Sequence, residues 1–210
     1  MRMPHEPDAV AHLREPTPDD PWRVLLSGCM AGLQCGVDGT DYGFGGVMDV
    51  FFASPLATAC PFCPEDVGLG TPRGWPDIHG GDGMDVLDGG AQVLDQDGND
   101  QTQGMITGAE AMTLFAQQER VDFAILMDMS GACATQVISD GSRFMEDRSY
   151  RMGVGVAAAS LLRAGIPVVS QRDFRTLDAL RARVDPTYAL DPEALDHHET
   201  LWYRRYFGVD

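Results

Sequence analysis

The sequence predicts a single α/β domain with a mainly parallel sheet flanked by helices, a Gly-rich insertion and a helical C-terminal extension. Three observations predict it. Short apolar runs alternate with stretches of helical periodicity, the pattern of a parallel sheet whose crossovers are helices. A segment rich in Gly and Asp, Trp75 to Gly104, interrupts that alternation. Beyond Ser170 the apolar residues recur at helical spacing, with no further strand-like run. The expected organisation is an irregular arm over 1–21, the α/β domain over 22–170 and the extension over 171–210.

Each element has its own reason. Met1 to Pro21 is polar and holds five prolines, which favours irregular backbone. Arg23 to Ser27 is a short apolar run ending in a small residue, and reads as a buried strand. Phe44 to Phe52 has helical spacing broken by glycine. Pro55 to Ala59 is a second strand, followed by Cys60-Pro61-Phe62-Cys63-Pro64-Glu65. In the insertion, Val86-Leu87 and Ala91 to Leu94 flank Asp88-Gly89-Gly90, which predicts a surface hairpin, with a lid over a site as the alternative. Met105 to Glu119 sets Ile106, Ala109, Met112, Leu114, Phe115 and Ala116 mostly on one helical face. Phe123 to Met127 is a third strand. Tyr150 to Ala164 reads as one Ala-rich helix stopped by Gly165, and Ile166 to Ser170 as a fourth strand. Thr176 to Val184 and Pro192 to Phe207 read as amphipathic helices. The aromatic stripe of the latter is expected to pack on the domain or to form a homo-oligomer contact.

Composition excludes several functions. The net charge is -17, from 15 basic and 32 acidic residues, so no basic stripe is present for a nucleic-acid polymer. All the basic residues are arginines, which removes Schiff-base chemistry on a lysine. No apolar run is long enough to span a membrane. The polar N-terminal segment does not resemble a secretory signal, so the expected location is cytoplasmic.

The five cysteines, at 29, 35, 60, 63 and 133, are an odd set without an export signal, which argues against a disulfide framework. Cys29 follows the first strand, Cys63 the second and Cys133 the third. Ligands of open parallel sheets bind outside the carboxyl ends of the strands, so three thiolates there can converge. Zinc and iron–sulfur clusters both use such ligands, and composition does not choose between them. Cys60 and Cys63 also form Cys-x-x-Cys. A structural four-cysteine zinc site on Cys29, Cys60, Cys63 and Cys133, or a cluster closed by Cys60, is the non-catalytic alternative. Cys35 reads as a packing residue. Arg73 reads either as an anion binder or as the partner of a surface carboxylate. His197 and His198 read as surface residues, because adjacent positions do not share a helix face.

Ordered motifs then suggest a family. Ser27-Gly28-Cys29-Met30-Ala31-Gly32 with Cys35 and Asp38-Gly39 resembles the N-terminal motif of the thiouracil desulfidase family. Cys63-Pro64-Glu65 with Thr71-Pro72-Arg73 is similar to its Cys-Pro-Glu and Pro-Thr-Pro-Arg segment. Ile125-Leu126, Ser130 and Cys133 resemble its Ile-Leu-Lys and Ser-Pro-Ser-Cys-Gly segment, and Gly153 to Gly165 its closing helix. The resemblance covers about Arg23 to Ser170. It implies a desulfidase with a 4Fe-4S cluster on Cys29, Cys63 and Cys133, one iron left open for the sulfur of a small thiolated heterocycle. It further implies that Glu65 is the acid/base and that Ser130 assists. The chain departs from the family pattern at Met127, where the motif has lysine, at Gly131, Ala132 and Ala134, and by the extra Cys60. These departures bear on substrate identity rather than on cluster ligation.

Overall fold

The computed structural model describes residues 10–209. Its central strand, β1 (Trp22–Ser27), is buried along nearly its whole length. Both faces are covered, which is why its sequence is a continuous apolar run rather than an alternation. β1 pairs in parallel with β2 (Ala57–Phe62) on one side and with β5 (Phe123–Leu126) on the other. β8 (Val168–Ser170) adds beyond β5, giving a parallel sheet of order β2-β1-β5-β8. The predicted fold class is the one observed.

Successive side chains of a strand point to opposite faces, and each face has its own core. Leu25, Ala124 and Leu126 pack with Met105, Ala109 and Met112 of α4 (Thr102–Gln118) and Leu161 of α5 (Val156–Arg163). Trp22, Val24, Leu26, Phe123 and Ile125 pack on the other face with Phe51 of α1 (Asp49–Phe52) and with Leu180 and Val184 of α6 (Phe174–Val184). The Trp22 and Phe123 rings meet edge to face at 5.5 Å.

α2 (Pro64–Leu69) follows β2 directly and lies against α4 through glycines. A Cβ on Gly108 would stand 2.0 Å from the Pro64 carbonyl oxygen, and one on Gly68 2.0 Å from that of Gly104. The two backbones therefore touch, and this contact sets where Glu65 sits.

Several boundaries differ from the expected ones. The second strand begins and ends later than Pro55 to Ala59, because the turn at Ser54–Leu56 precedes it. The insertion is not a surface hairpin. α3 (Gly83–Leu87) occupies its first arm, capped by Asp82, and β4 (Gln92–Leu94) pairs antiparallel with β3 (Asp77–His79). Ile78, Val86 and Val93 from this segment are fully buried in the main core. The stretch Tyr150 to Ala164 is not one helix. β7 (Tyr150–Met152) pairs with β6 (Val137–Ser139), and α5 starts only after Gly155. A Cβ on Gly155 would lie 2.4 Å from the Ala132 backbone, so the glycine is needed where the helix start meets that loop. The helix proposed over Pro192 to Phe207 is shorter, a 3-10 turn His197–Glu199 followed by α7 (Leu201–Phe207).

The loop between β5 and β6 is braced by buried carboxylates. Asp128 Oδ1 accepts from the backbone N–H groups of Thr135, Gln136 and Val137 at 3.1–3.2 Å. Its Oδ2 lies 2.7 Å from His197 Nδ1. Asp173 Oδ1 accepts from Gln136 Nε2 at 2.6 Å and from the His197 N–H at 3.0 Å, and its Oδ2 from the Ser170 N–H at 3.0 Å. His197 is thus buried, contrary to its expected surface position.

Two predictions follow from this packing. Gly108→Ala should destabilise the protein by about 1–3 kcal/mol, the usual range for overpacking, as measured by urea unfolding; an unchanged midpoint would show that the helices separate freely. The second concerns the carboxylates. Burial pushes Asp173 up to about 6, with Asp196 adding to the effect. Burial also opposes ionisation of Asp128, but the His197 contact and the backbone donors hold that carboxyl below its ordinary value. Between the ordinary 3.8 and about 6 the folded chain keeps the Asp173 proton that the unfolded chain has lost. Stability from this group therefore falls as pH rises through that window. Asp128 acts oppositely: its contribution is present above the ordinary 3.8 and lost as pH falls through the lower folded value. Carboxyl NMR titration should give Asp173 a midpoint near 6 and Asp128 still ionised at pH 3.8. Ordinary midpoints for both would contradict the network.

Candidate active site

Three loops leave the carboxyl ends of β2, β1 and β5, and each carries one of the predicted cysteines. After Ser27 the chain forms a 3-10 turn, Gly28–Ala31, closed by Gly32 in the left-handed region at φ 82°. Cys29 sits on this turn. A side chain on Gly28 would crowd its neighbours: its Cβ would stand 3.0 Å from Leu33 Cδ1, 3.2 Å from Cys35 Sγ and 3.3 Å from Cys63 Cβ. Cys63 is the N-cap of α2, with Pro64 at the first helical position, and its sulfur accepts from the Asp66 N–H at 3.4 Å. Cys133 lies in the loop that Asp128 closes.

All five predicted site residues, Cys29, Cys63, Cys133, Glu65 and Ser130, line one cavity of about 360 Å³. Cys133 is buried, whereas Cys29 and Cys63 are partly exposed. Burial, then the neighbouring Cys63 and Glu65, push the Cys29 thiol up to about 11. Burial raises Cys133 well above an ordinary thiol. Cys63 moves down, chiefly because the Cys35 thiol hydrogen-bonds to it, against the opposing effect of burial. The same bond and burial raise Cys35. Cys35 is therefore not only a packing residue; it is the immediate neighbour of Cys63. Thiols protonated this firmly lose their protons when a metal binds, since the thiolate is the ligand.

The carboxylate of Glu65 is held from both sides. Arg73 donates to Oε2 from Nη2 at 2.6 Å and from Nε at 3.2 Å. Ser130 Oγ lies 3.0 Å from Oε1. Ser130 Oγ also accepts from the Ala132 and Cys133 N–H groups at 3.2 and 3.1 Å, so its single proton is left for Glu65. Arg73 further donates from Nη1 to the Gly70 carbonyl and Thr71 Oγ1, and from Nη2 to the Cys35 carbonyl. Its five N–H donors are all used. Neither expected reading of Arg73 holds: the guanidinium has no donor left for a substrate anion, and its partner is the site carboxylate, not a surface one.

Apolar and aromatic groups form the rest of the wall, among them Tyr42, Phe44, Phe62, Trp75 and Met127. Tyr42 stacks on Trp75 with ring centroids 6.0 Å apart, and the Arg143 guanidinium lies 5.0 Å over the same Trp75 ring. Such a wall suits a flat heterocycle. Met127 holds its sulfur 3.2 Å from Gln171 Nε2.

The donor set discriminates between metals. One tetrahedral zinc with Zn–S bonds near 2.3 Å needs sulfurs about 3.8 Å apart. Among the described residues, the metal-capable trio with ligand atoms all within 4.8 Å is Asp173, Asp196 and His198, and the three cysteines do not come that close. Cys60 is absent from the cavity wall, and its charged neighbours are Arg23 and Asp122, at the opposite end of the strands. The four-cysteine site is therefore not assembled. Three separated thiols around one cavity fit a larger cluster better than a single ion.

Residues 24–173 match the 2-thiouracil desulfurase family. The chain belongs to this family. A relative in Bacillus subtilis (strain 168), the uncharacterised protein YbbK, is 29% identical over 154 residues, which are 73% of this chain and 99% of the relative. Among solved structures, the [4Fe-4S]-dependent thiouracil desulfidase TudS superposes with a TM-score of 0.60 at 29% identity, over 74% of this chain and 95% of that one. The family resemblance read from the motifs is thus the family that matches. Residues 174–210 of this chain lie beyond the match. No helix among the described residues is long and apolar enough to cross a membrane.

The Glu65–Arg73 pair yields a stability prediction. The two side chains are 13% and 5% exposed. Arg73→Ala leaves a mostly buried carboxylate without its cation and should cost about 3–5 kcal/mol in urea unfolding of the iron-free protein. Arg73→Lys keeps the charge but loses the fork, and should fall between the two. A loss below ~1 kcal/mol for Arg73→Ala would mean that the pair is effectively solvated.

Proposed function

We propose that this protein is an iron–sulfur-dependent desulfidase that removes sulfur, as sulfide, from a small thiolated heterocycle of the thiouracil type. The observation that carries the reading is the single cavity shared by Cys29, Cys63, Cys133 and the Glu65–Ser130 pair. Family membership supports it, as does similarity to a [4Fe-4S]-dependent thiouracil desulfidase. The net reaction balances as a thiocarbonyl plus water giving a carbonyl plus hydrogen sulfide.

Cys29, Cys63 and Cys133 would hold a 4Fe-4S cluster. Three thiolate ligands would leave one iron without a protein ligand, and that iron would supply a soft Lewis acid for sulfur. The remaining work belongs to the chain. Tyr42, Trp75 and Phe62 orient a flat ring and exclude water around it. Glu65 Oε1 faces Ser130 as an acceptor, so this oxygen takes the proton of the water that attacks the thiocarbonyl carbon. It then returns a proton to the departing sulfur or to a ring nitrogen. Arg73 occupies Oε2 and so leaves Oε1 as the working oxygen. Ser130 fixes the direction of that oxygen and couples it to the Cys133 loop.

The test is sulfide release from a panel of thiolated pyrimidines and thioamides by protein reconstituted without oxygen. Met127, where the family motif has lysine, makes a panel more informative than thiouracil alone. Glu65→Gln should keep its iron and sulfide and lose about 10²–10⁴ in turnover, the usual effect of removing a general acid or base. Full turnover in Glu65→Gln refutes its role, and a loaded protein that releases no sulfide from any compound refutes the activity.

A further inference from the structure

All but the first three residues of the C-terminal extension lie past the family match, which ends at residue 173, yet the extension reaches the wall of the cavity. Ser130 and Cys133 both belong to the loop 127–136. Asp128, which lines the cavity, closes this loop by accepting three N–H groups from its far end on Oδ1. That oxygen is saturated. Oδ2 has His197 Nδ1 at 2.7 Å, and the two side chains are 0% and 3% exposed. The His197 N–H and Gln136 Nε2 share Asp173 Oδ1, so the extension grips the loop at its second end as well.

The imidazole is itself fixed. It stacks on Trp202 with centroids 5.6 Å apart and rings 11° from parallel, and Tyr203 meets it edge-on at 5.4 Å. Its own backbone turn is capped: Asp196 accepts from Thr176 and the Asp196 N–H donates to Glu199. So much ordering around one ring is more than burial of a surface histidine requires.

We infer that His197 is a positioning residue: through Asp128 it sets the loop 127–136 so that Cys133 and Ser130 face the cavity, and it thereby governs how firmly a cluster is kept. The second clause rests on the reading of Cys133 as a ligand; the first does not. Removing the imidazole leaves a buried carboxylate oxygen without a donor, and the cheapest relief is for the loop to open to water. The sheet below has no part in that contact and should stay closed.

Thiol accessibility in the iron-free full-length chain tests this directly. Cys133 in the loop and Cys60 in β2 are both buried, so Cys60 reports general loosening and Cys133 reports the loop. The protein is alkylated with N-ethylmaleimide and the rate at each cysteine is read by peptide mass spectrometry. His197→Ala should speed labelling of Cys133 about tenfold or more, as loss of a hydrogen bond to a charged group implies, and leave Cys60 unchanged. His197→Asn places an amide N–H near the position of Nδ1 and should restore slow labelling. His197→Gln reaches further, toward the position of Nε2, and should not. An unchanged Cys133 rate in His197→Ala overturns the inference, as does equal acceleration of Cys60 and Cys133. If His197→Ala does not fold, equal Cys133 rates in the Asn and Gln variants overturn it instead. After anaerobic loading, iron loss to a chelator should follow the Cys133 rates across the variants. A wild-type chain that labels as expected but never takes up iron refutes the cluster reading and leaves the positioning role standing.

Discussion

Leu26 of β1 stands opposite Pro61 of β2 and opposite Ile125 of β5, and Ile125 stands opposite Val169 of β8. Parallel strands in this register end at one level. The chain must leave each of them on the same side of the sheet, because a parallel strand is re-entered only after a crossover. Cys29, Cys63 and the Cys133 loop are therefore delivered to one edge by backbone hydrogen bonding before any side chain contributes. The convergence of thiols is a consequence of sheet topology, and the remaining polar structure serves to hold three loops still above that edge.

How they are held is a matter of saturated donors and acceptors. Arg73 joins three segments, Cys35, Gly70–Thr71 and Glu65, with one guanidinium. Ser130 joins Glu65 to the backbone of Cys133. Asp128, through His197, and Asp173, through Gln136, join the same loop to the extension. In a low-dielectric wall each such group is stabilising only while fully paired, so losing one member strands its partner. The thiols are the exception. Burial raises Cys29 and Cys133 and leaves them protonated, a state that a bound cation reverses.

Much of this could be read from the residues. β1, β5 and β8 are runs of apolar residues too short for helices, and the loops after β1, β2 and β5 carry the cysteines, so the edge was visible. The Cys-Pro-Glu stretch placed Glu65 beside Cys63, because Pro64 starts a helix wherever a preceding residue can cap it. What was illegible depends on long-range contact. The three-residue strands β6 and β7 are too short to show a period, and Tyr150–Met152 merged with the Ala-rich helix that follows. Only the contact of Gly155 with Ala132 explains the break between them. Arg73 gave no sign that its five donors close on four partners. His197 looked like a solvated residue because its partner is 69 residues away. A polar side chain that is buried for the sake of a distant carboxylate leaves no local pattern.

The central claim is that Cys29, Cys63 and Cys133 together hold an iron–sulfur cluster and that Cys60 does not. Anaerobic reconstitution with iron and sulfide, followed by chemical analysis of both per chain, measures this most directly. The account predicts four irons and four acid-labile sulfides in the wild-type protein and in Cys60→Ala, and a large loss of both in each of Cys29→Ala, Cys63→Ala and Cys133→Ala. Equal loading of Cys133→Ala, or one zinc per chain with no sulfide, would contradict it.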